Sequence, residues 1–439
     1  MDSTYRLSGG SMIARLVLRY GAFFLAGGRR PGPHDEQGVA DLMKNAKQTW
    51  SLIMVIALLL LTACTNEQNA AGTGSGKNTS PANSAAQGAS QSSGSQPEAP
   101  AASDASGGGD AAQAAIPEKL RHPLRVALVT RITTGSFFAQ YSQGIRDQVE
   151  AFGGELKIYD SNNDLAKMAS NIESAVNEKV DAILVNNGTA QALDPAVRKA
   201  LDAGIPVVAY DSDLILPGVT SIDQDDYLLG WQSLKQLATD LNGEGRIGVL
   251  WVAGYLPMER RQVMIEAFYK RYPKIEEVAR AGTVTANTAL DTQAQVEAWL
   301  KKFPKEGELD AIYTTWNEFT RGAYQALKQA GRTDIPIYGI DLTEEDLPLF
   351  QAEDSPWVAA SATNPTDIGQ VQTRLAYQKV AGETVPSSVS IEPRLILRSH
   401  LPKEPISFAD LGKYVPGWGK SDLAWSPWMD VLAKGSKGS

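Results

Sequence analysis

One pattern occurs twice in this chain, and it limits the possible folds more than any other feature. An apolar run that ends in Asn, a helical pattern and a second apolar run that ends in Asp extend from Asp181 to Asp211 and again from Asp310 to Asp341. The two intervals differ in length by one residue. Internal repeats of this kind indicate repeated structural units. The chain is therefore expected to contain two halves of similar construction, each with polar side chains at the ends of its strands.

Strand-like and helix-like segments alternate around the two copies. Leu124 to Thr130 is apolar and β-branched, and the segment from Gly135 to Phe152 has apolar residues at a spacing of three to four. Strands separated by helices predict right-handed crossovers and parallel sheets that helices cover on both faces. Asp194-Pro195 is predicted to begin a helix, because Asp caps helices and Pro fits their first turn.

Polar residues follow many of the predicted strands. In open parallel sheets, ligands bind outside the carboxyl ends of the strands. The residues at those ends are Thr130, Arg131, Asn186, Asn187, Asp211, Trp251, Trp316, Asn317, Asp341 and Thr363. Each of them taken alone fits a helix cap or a loop equally well, but their concentration at one end of both halves favours a ligand-binding cleft.

Composition argues against several functional classes. The 439 residues suffice for two domains, and a net charge of -9 without a long basic run argues against nucleic-acid binding. A single cysteine, Cys64, excludes an intramolecular disulfide and a thiolate metal cluster. The three histidines lie far apart in sequence and give little support to a metal site or to Ser-His-Asp catalysis. We therefore predict no metal, no cofactor and no enzymatic activity.

The segment 43–64 has the pattern of a secretion signal. It combines two lysines, an apolar run from Leu52 to Leu61 and small residues before Cys64. The run is shorter than the roughly 18 residues that a membrane span needs. Its end resembles the lipobox of bacterial lipoproteins, in which cleavage precedes a cysteine that then carries lipid. This resemblance implies an extracytoplasmic protein anchored to the cell membrane of a bacterium through Cys64, with an uncleaved anchor as the alternative.

Two segments flank this signal. Residues 65–115 contain no aromatic residue and are rich in Ala, Gly and Ser, so they are expected to form a flexible tether. Residues 1–42 precede the signal, and they are either a true upstream extension or sequence before an actual start at Met43.

Four segments resemble the type I periplasmic sugar-binding proteins, especially the ribose- and galactose-binding lipoproteins of ABC importers. They are the run from Val126 through Phe138, Asp-Ala-Ile-Leu-Val-Asn, Gly-Ile-Pro-Val-Val-Ala-Tyr-Asp, and Tyr-Gly-Ile-Asp. Their order is more specific than any single segment, and the resemblance covers roughly residues 121–402. It implies an α/β fold of two doubly wound parallel-sheet lobes joined by a three-crossover hinge, with ligand bound between the lobes.

The resemblance also implies the boundaries of the lobes. The first lobe is expected to comprise residues 121–224 and 365–390, and the second lobe residues 225–363 and 391–402. The crossovers are expected near Ile222–Gln224, Thr363–Pro365 and Val389–Glu392. Residues 403–439 lie beyond the resemblance, and their aromatic content predicts an extension that packs on a lobe and ends in a loose terminus.

The same resemblance implies a set of sugar-binding residues. Aromatic side chains that hold the face of a sugar match Phe137 and Phe138, of which we expect one to face the ligand and Phe138 to lie on the core side. The carboxylate that binds two adjacent hydroxyls matches Asp211. The remaining matches are Asn186, Asn317, Asp341, Thr363 or Asn364, and Arg260 or Arg261. Trp316 is an additional candidate for stacking on the sugar, with a place on the lobe surface as the alternative.

Three positions depart from the pattern of the family. Arg131 stands where the family has a small polar residue, Gly135 stands near a common Asn, and Ser212 stands where ribose-binding members have Arg. These differences argue against ribose itself as the ligand. Arg131 is a candidate to contact a negative group of the ligand or to replace the missing Arg.

Together these expectations predict a function. We expect a monomeric, membrane-tethered receptor that captures a sugar or related polyol by hinge closure and delivers it to an ABC permease without performing chemistry on it. The alternative is a receptor of the same fold that reports a nucleoside or a furanosyl signal to a sensor kinase or chemoreceptor. A hydrolase with Asp211 and Asp341 as paired carboxylates would lack an accompanying nucleophile and base.

Overall fold

The computed structural model describes residues 116–419 and 421–435. The predicted secretion signal, Cys64 and the tether all lie outside these residues. Within the described part of the chain, no helix is both long enough and apolar enough to cross a membrane.

Two six-stranded sheets form the framework of the described region. The strands, numbered in chain order, are β1 (Arg125–Thr130), β2 (Glu155–Asp160), β3 (Ala182–Asn186), β4 (Val207–Tyr210), β5 (Val219–Asp223), β6 (Glu244–Leu250), β7 (Lys274–Ala281), β8 (Ala311–Thr314), β9 (Ile337–Ile340), β10 (Trp357–Ala362), β11 (Ser388–Ser390) and β12 (Arg394–Leu397). The first sheet has the order β11-β5-β4-β3-β1-β2 and the second has the order β12-β10-β9-β8-β6-β7. Among the strands of the described residues, only β12 runs antiparallel to its neighbour, β10.

Helices lie between most consecutive strands. They are α1 (Ser136–Ala151), α2 (Leu165–Asn177), α3 (Ala190–Asp202), α4 (Asp226–Asp240), α5 (Leu256–Arg271), α6 (Thr288–Lys302), α7 (Asn317–Ala330), α8 (Leu347–Gln351), α9 (Pro365–Ala381) and α10 (Pro427–Gly435). Short 3-10 helices occur at Glu118–Leu120, Arg398–His400 and Phe408–Lys413.

Alternate residues of the strands supply the cores on the two faces of the first sheet. Val126 and Leu128 of β1 belong to a core that includes Tyr141 of α1. Ala127 and Val129 belong to a separate core that includes Met168 of α2. Because successive side chains of a strand point to opposite faces, both faces of this sheet are buried, as parallel sheets require. The predicted fold class, two doubly wound α/β lobes, is confirmed.

In the described part of the chain, consecutive strands and helices pass from one sheet to the other three times. It leaves the first sheet after β5 and enters α4, which bonds to the second sheet through Tyr338 Oη and the Asp240 carboxylate, 2.8 Å apart. It returns between β10 and α9, and it crosses again between β11 and β12. The segments that connect the lobes are therefore 224–225, 363–364 and 391–393.

Helix α9 packs closely on the first lobe although it follows a strand of the second. Gly144 of α1 and Gly369 of α9 make this approach possible, because a Cβ on either residue would lie within 2.3 Å of a backbone oxygen of the facing helix. Gln372 of α9 donates to the carbonyl oxygens of Val185 and Val208, which lie in β3 and β4. The helix thus contacts the first sheet directly.

The prediction that Asp194-Pro195 begins a helix is wrong. Helix α3 begins at Ala190, and Pro195 lies inside it. The backbone N–H of Ala190 has no partner within the helix, and it donates to the carboxylate of Asp213, which comes from the loop after β4. This distant cap extends the helix upstream, at the cost of the hydrogen bond that Pro195 cannot donate.

The C-terminal segment contacts both lobes. Gln351 of α8 donates to the carbonyl oxygens of Pro402 and Glu404 on the second-lobe side. On the first-lobe side, Arg374 of α9 donates to the carbonyl oxygen of Ser421, 2.9 Å away. Among the aromatic residues of this segment, Trp418 and Trp428 are buried, whereas Tyr414 and Trp425 remain about 40% exposed.

Candidate ligand-binding site

A cavity lies where the carboxyl ends of the two sheets face each other. Together with the solvent space at its opening, it comprises about 390 Å³ that protein atoms do not fill. Both lobes supply its wall. The lining residues are Ile132, Phe137, Phe138, Asn187, Asp211, Gln224, Tyr255, Pro257, Met258, Arg261, Val284, Trp316 and Asp341.

Two aspartates reach this cavity from equivalent positions in the two lobes. Asp211 directly follows β4 and Asp341 directly follows β9, and both have the left-handed backbone conformation, with φ of 47° and 69°. Asp adopts this conformation more readily than most residues. Both side chains are almost fully buried, and the Oδ1 atom of each has no hydrogen-bond donor within the protein.

Burial raises the pKa of both carboxyl groups. The pKa of Asp341 rises to about 7, because loss of hydration outweighs the attraction of Arg261. The pKa of Asp211 also lies well above its usual range, first because of burial and second because of the nearby Asp226 carboxylate. A buried carboxylate is costly unless donors are bound to it. These two groups are therefore prepared to accept hydrogen bonds from a ligand.

Arg261 is the buried cation of the site. Its guanidinium forms an ion pair of 2.9 Å with Asp226 and lies 3.6 Å from Asp341. It also donates to the carbonyl oxygen of Thr315 at 2.6 Å. Since three partners hold this guanidinium, its orientation toward the cavity is fixed before ligand arrives. The neighbouring Arg260 instead pairs with Asp223 and Asp226 at 3.4 and 3.3 Å and does not line the cavity.

Aromatic rings form another part of the wall. Phe137 and Phe138 begin helix α1, and both line the cavity and are buried. The ring centroids of Phe138 and Trp316 are 6.0 Å apart, so rings from the two lobes meet there. Phe138 was expected on the core side. Its ring does belong to a hydrophobic core, but it also lines the cavity.

The lobes contact each other on one side of the cavity through Arg131. This side chain donates to the carbonyl oxygen of Gly254 at 2.8 Å and lies 4.0 Å above the ring of Tyr255. Asn163 accepts hydrogen bonds from both Arg131 and Tyr255, at 2.9 and 2.8 Å. Arg131 therefore bridges the lobes at the rim and does not line the cavity.

A second contact between the lobes is centred on Ser136, at the start of α1. Its hydroxyl is 2.9 Å from Asn317 Nδ2 and 3.1 Å from Thr343 Oγ1, both in the second lobe. Asn317 Nδ2 also donates to the buried carboxylate of Asp346 at 2.9 Å. The side chain of Asn317 thus connects the lobes beside the cavity.

The remaining predicted residues make contacts within the protein. Asn186 Oδ1 accepts a hydrogen bond from Thr130 Oγ1 at 3.0 Å. Thr363 Oγ1 donates to Gln224 Oε1 at 2.7 Å, and Asn364 caps α9 by accepting from the N–H of Thr366. Six of the twelve residues predicted from the sequence line the cavity: Phe137, Phe138, Asp211, Arg261, Trp316 and Asp341.

Several lining residues were absent from the set of predicted sugar-binding residues. Asn187 was among the strand-end residues but outside that set; it follows β3 and Asp211 follows β4, and its Oδ1 atom also lacks a donor within the protein. Gln224 lies in the first crossover. Tyr255, Pro257, Met258 and Val284 come from loops and from the start of α5, where no strand-end pattern marks them. No group of His, Cys, Asp and Glu among the described residues could hold a metal ion.

Two similar lobes around a buried cavity, with acceptors and rings that converge on it, define a two-lobe solute-binding protein. A family model described as a periplasmic binding protein domain matches residues 126–384. The chain belongs to this family, which confirms the resemblance drawn from the sequence.

Individual relatives agree with this assignment. The xylitol-binding protein of Mycolicibacterium smegmatis is 31% identical over 261 residues, which are 58% of this chain and 72% of that protein. The crystal structure of a sugar ABC transporter protein from Yersinia enterocolitica has a TM-score of 0.71 and 34% identity, and the match covers 73% of this chain and 98% of that one. A 5-methylthioribose transporter solute-binding protein from Thermotoga lettingae, solved with 5-methylthioribose, has a TM-score of 0.68 and 36% identity, with coverage of 71% and 99%.

Proposed function

We propose that this protein captures a sugar or related polyol between its lobes outside the cytoplasm and delivers it to an ABC importer. The observation that carries the proposal is the set of three buried acceptors, Asp211 Oδ1, Asp341 Oδ1 and Asn187 Oδ1, that have no donor within the protein. Adjacent hydroxyl groups supply donors of the required kind. Family membership supports transport as the biological role.

The cavity wall suits the two chemical faces of a sugar. Hydroxyl groups at the rim of the ring are proposed to donate to Asp211 and Asp341, and the Arg261 guanidinium donates to ligand oxygens. Phe137, Phe138 and Trp316 are proposed to cover the apolar CH faces. Charge-assisted hydrogen bonds in a buried site are strong, so a ligand that lacks one hydroxyl leaves a carboxylate unpaired and binds weakly. No reaction on the ligand is proposed.

Binding is proposed to favour the closed arrangement of the lobes. Contacts that join the lobes, such as Arg131 with Gly254 and Ser136 with Asn317, are lost when the hinge opens. A ligand that bonds to Asp211 and Asp341 together adds stability to the closed state only. This difference in affinity between the two states supplies the signal that an importer reads.

A thermal-shift screen of the purified protein against sugars, polyols and nucleosides tests the proposal. The panel includes xylitol and 5-methylthioribose, because relatives are named for binding them. A ligand at 100 times its dissociation constant adds about 2.7 kcal/mol of stability. A shift with at least one sugar or polyol is expected. Absence of a shift with every sugar and polyol would contradict the proposal, and a shift with nucleosides alone would replace the sugar or polyol by a nucleoside as the ligand.

Membrane anchoring through Cys64 is a separate part of the proposal. The sequence before this residue supports lipid attachment to its thiol. Cys64→Ser is expected to release the protein from membranes, as measured by fractionation of cells that express each form. Membrane retention of the variant equal to that of the parent protein would refute lipid anchoring.

A further inference from the structure

The two ends of the cavity differ in chemistry. Gln224 marks the end next to the hinge, because it lies in the first crossover and its Oε1 atom accepts from Thr363 of the second crossover, 2.7 Å away. Ile132 and Val284 mark the opposite end, because they line both this cavity and an adjoining recess. The other residues of that recess include Asn162, Asn163, Thr285 and Ala286, which are exposed to solvent. The cavity therefore runs from a hinge end to a mouth.

Apolar residues surround the mouth end, and we call Ile132, Tyr255, Met258 and Val284 the apolar collar. Ile132, Tyr255 and Met258 are buried, with exposures of 7%, 8% and 6%. Ile132 belongs to the first lobe and the other members to the second. A group held in the apolar collar thus touches both lobes.

The polar atoms of the apolar collar are engaged elsewhere. The Tyr255 hydroxyl donates to Asn163 at 2.8 Å, and the Arg131 guanidinium covers one face of the ring. The Met258 sulfur accepts from Thr315 Oγ1 at 3.3 Å, and the Met258 carbonyl oxygen accepts from Trp251 Nε1 at 2.7 Å. A ligand hydroxyl placed there would lose its hydrogen bonds to water and gain only apolar neighbours, which is unfavourable.

We propose that the ligand is a small sugar in which an apolar substituent, such as a methyl or alkylthio group, replaces a terminal hydroxyl and binds in the apolar collar. The hydroxyl groups at its other end then face Asp211, Asp341 and Asn187 near the hinge. This inference rests on the proposed function and names its substrate class. It also assigns specificity to loop residues, in addition to the strand-end residues that hold the hydroxyl groups.

Calorimetric titration of the purified protein with D-ribose, 5-deoxy-D-ribose and 5-methylthioribose tests this assignment. Burial of each methylene-sized apolar group is expected to lower the dissociation constant about fourfold. Affinity is therefore expected to rise in the order given, with 5-methylthioribose at least about tenfold tighter than ribose.

A variant of the apolar collar sharpens the test. Val284→Thr keeps the shape of the side chain and adds a hydroxyl at a partly exposed loop position, where the hydroxyl can reach water, so the variant is expected to fold. It is expected to reduce the preference for 5-methylthioribose over ribose several-fold. The matched control is Val263→Thr on α5, where Val263 is 51% exposed and outside the cavity, and it is expected to leave the preference unchanged.

The outcomes separate this inference from the proposed function. Ribose or xylitol that binds as tightly as both substituted sugars would overturn the inference and leave the proposed function intact. A preference for 5-methylthioribose that survives Val284→Thr and Val263→Thr equally would also overturn the assignment to the apolar collar. Failure of every sugar to bind would overturn both.

Discussion

The two copies of the repeated segment have the same backbone plan but use their polar side chains differently. The aspartate that ends each copy, Asp211 or Asp341, has a left-handed backbone and lines the cavity. Asn186 and Asn317, which follow the first apolar run of each copy, do not line it: Asn186 bonds to Thr130 within the first lobe, and Asn317 joins Ser136 and Asp346 across the lobes. The duplicated Asp positions are therefore proposed to bind ligand, and Asn186 and Asn317 to hold the structure together.

The two aspartates also differ from each other. Asp341 lies 3.6 Å from the Arg261 guanidinium. The ion pairs found among the described residues do not include Asp211, which has Asp226 as an unfavourable neighbour. Removal of each carboxylate should thus have different consequences for the ligand-free protein.

The largest expected effect follows Asp211→Ala. Loss of a charge-assisted acceptor is expected to weaken ligand binding by more than about 100-fold, which corresponds to about 3 kcal/mol. The ligand-free variant should remain folded with equal or greater stability, because the substitution removes a buried carboxylate whose Oδ1 atom has no donor. Calorimetry and thermal unfolding measure the two quantities. Asp202→Ala, at the exposed end of α3, is the control, and binding retained by Asp211→Ala would contradict the site.

Asn317→Ala is expected to show the opposite pattern. Its side chain supplies donors to Ser136 and to the buried Asp346 carboxylate, so its removal leaves both without that donor. Stability in urea is expected to fall by about 1–3 kcal/mol, with a smaller loss of ligand affinity that reflects weaker contact between the lobes. A loss of affinity as large as that of Asp211→Ala with unchanged stability would show that Asn317 binds ligand directly.

A smaller effect is expected from pH. Because burial raises the pKa of Asp341 to about 7, this group stabilises the ligand-free fold less as pH rises from about 4 to 7. Ligand hydroxyl groups that donate to the carboxylate favour its ionised form and lower its pKa in the complex. Affinity should therefore rise several-fold between pH 5.5 and about 7.5, with proton release on binding.

Calorimetric titration with the ligand at pH 6.5, in two buffers of different protonation enthalpy, measures the number of protons released on binding. Asp341→Asn is expected to reduce the number of protons released, although Asp211 still contributes because its pKa is raised as well. Proton uptake on binding, or affinity that falls with rising pH, would contradict hydrogen bonding to ionised carboxylates.

The sequence predicted the elements whose signals are local. Alternation of apolar strands and helices predicted both sheets, and the position directly after a strand predicted Asp211 and Asp341 at the cavity. The choice between Arg260 and Arg261 stayed open because adjacent helix residues point about 100° apart, and the pattern did not fix the rotation of α5.

Other features depend on contacts between distant parts of the chain. The bonds of Asn317 to Ser136 and Asp346 form only when the lobes come together, so the residue type alone suggested a ligand contact. The start of α3 depends on Asp213, which lies after the following strand. The loop residues Tyr255 and Val284 carry no periodic signal, and only the folded chain brings them to the cavity.

A crystal structure with the tightest-binding sugar shows whether both copies of the repeated segment bind one ligand. One sugar is expected to lie between the lobes, with hydroxyl groups that donate to the Oδ1 atoms of both Asp211 and Asp341. A sugar that contacts only one of the two aspartates, or that binds outside this cavity, would contradict the claim that the two copies form one site.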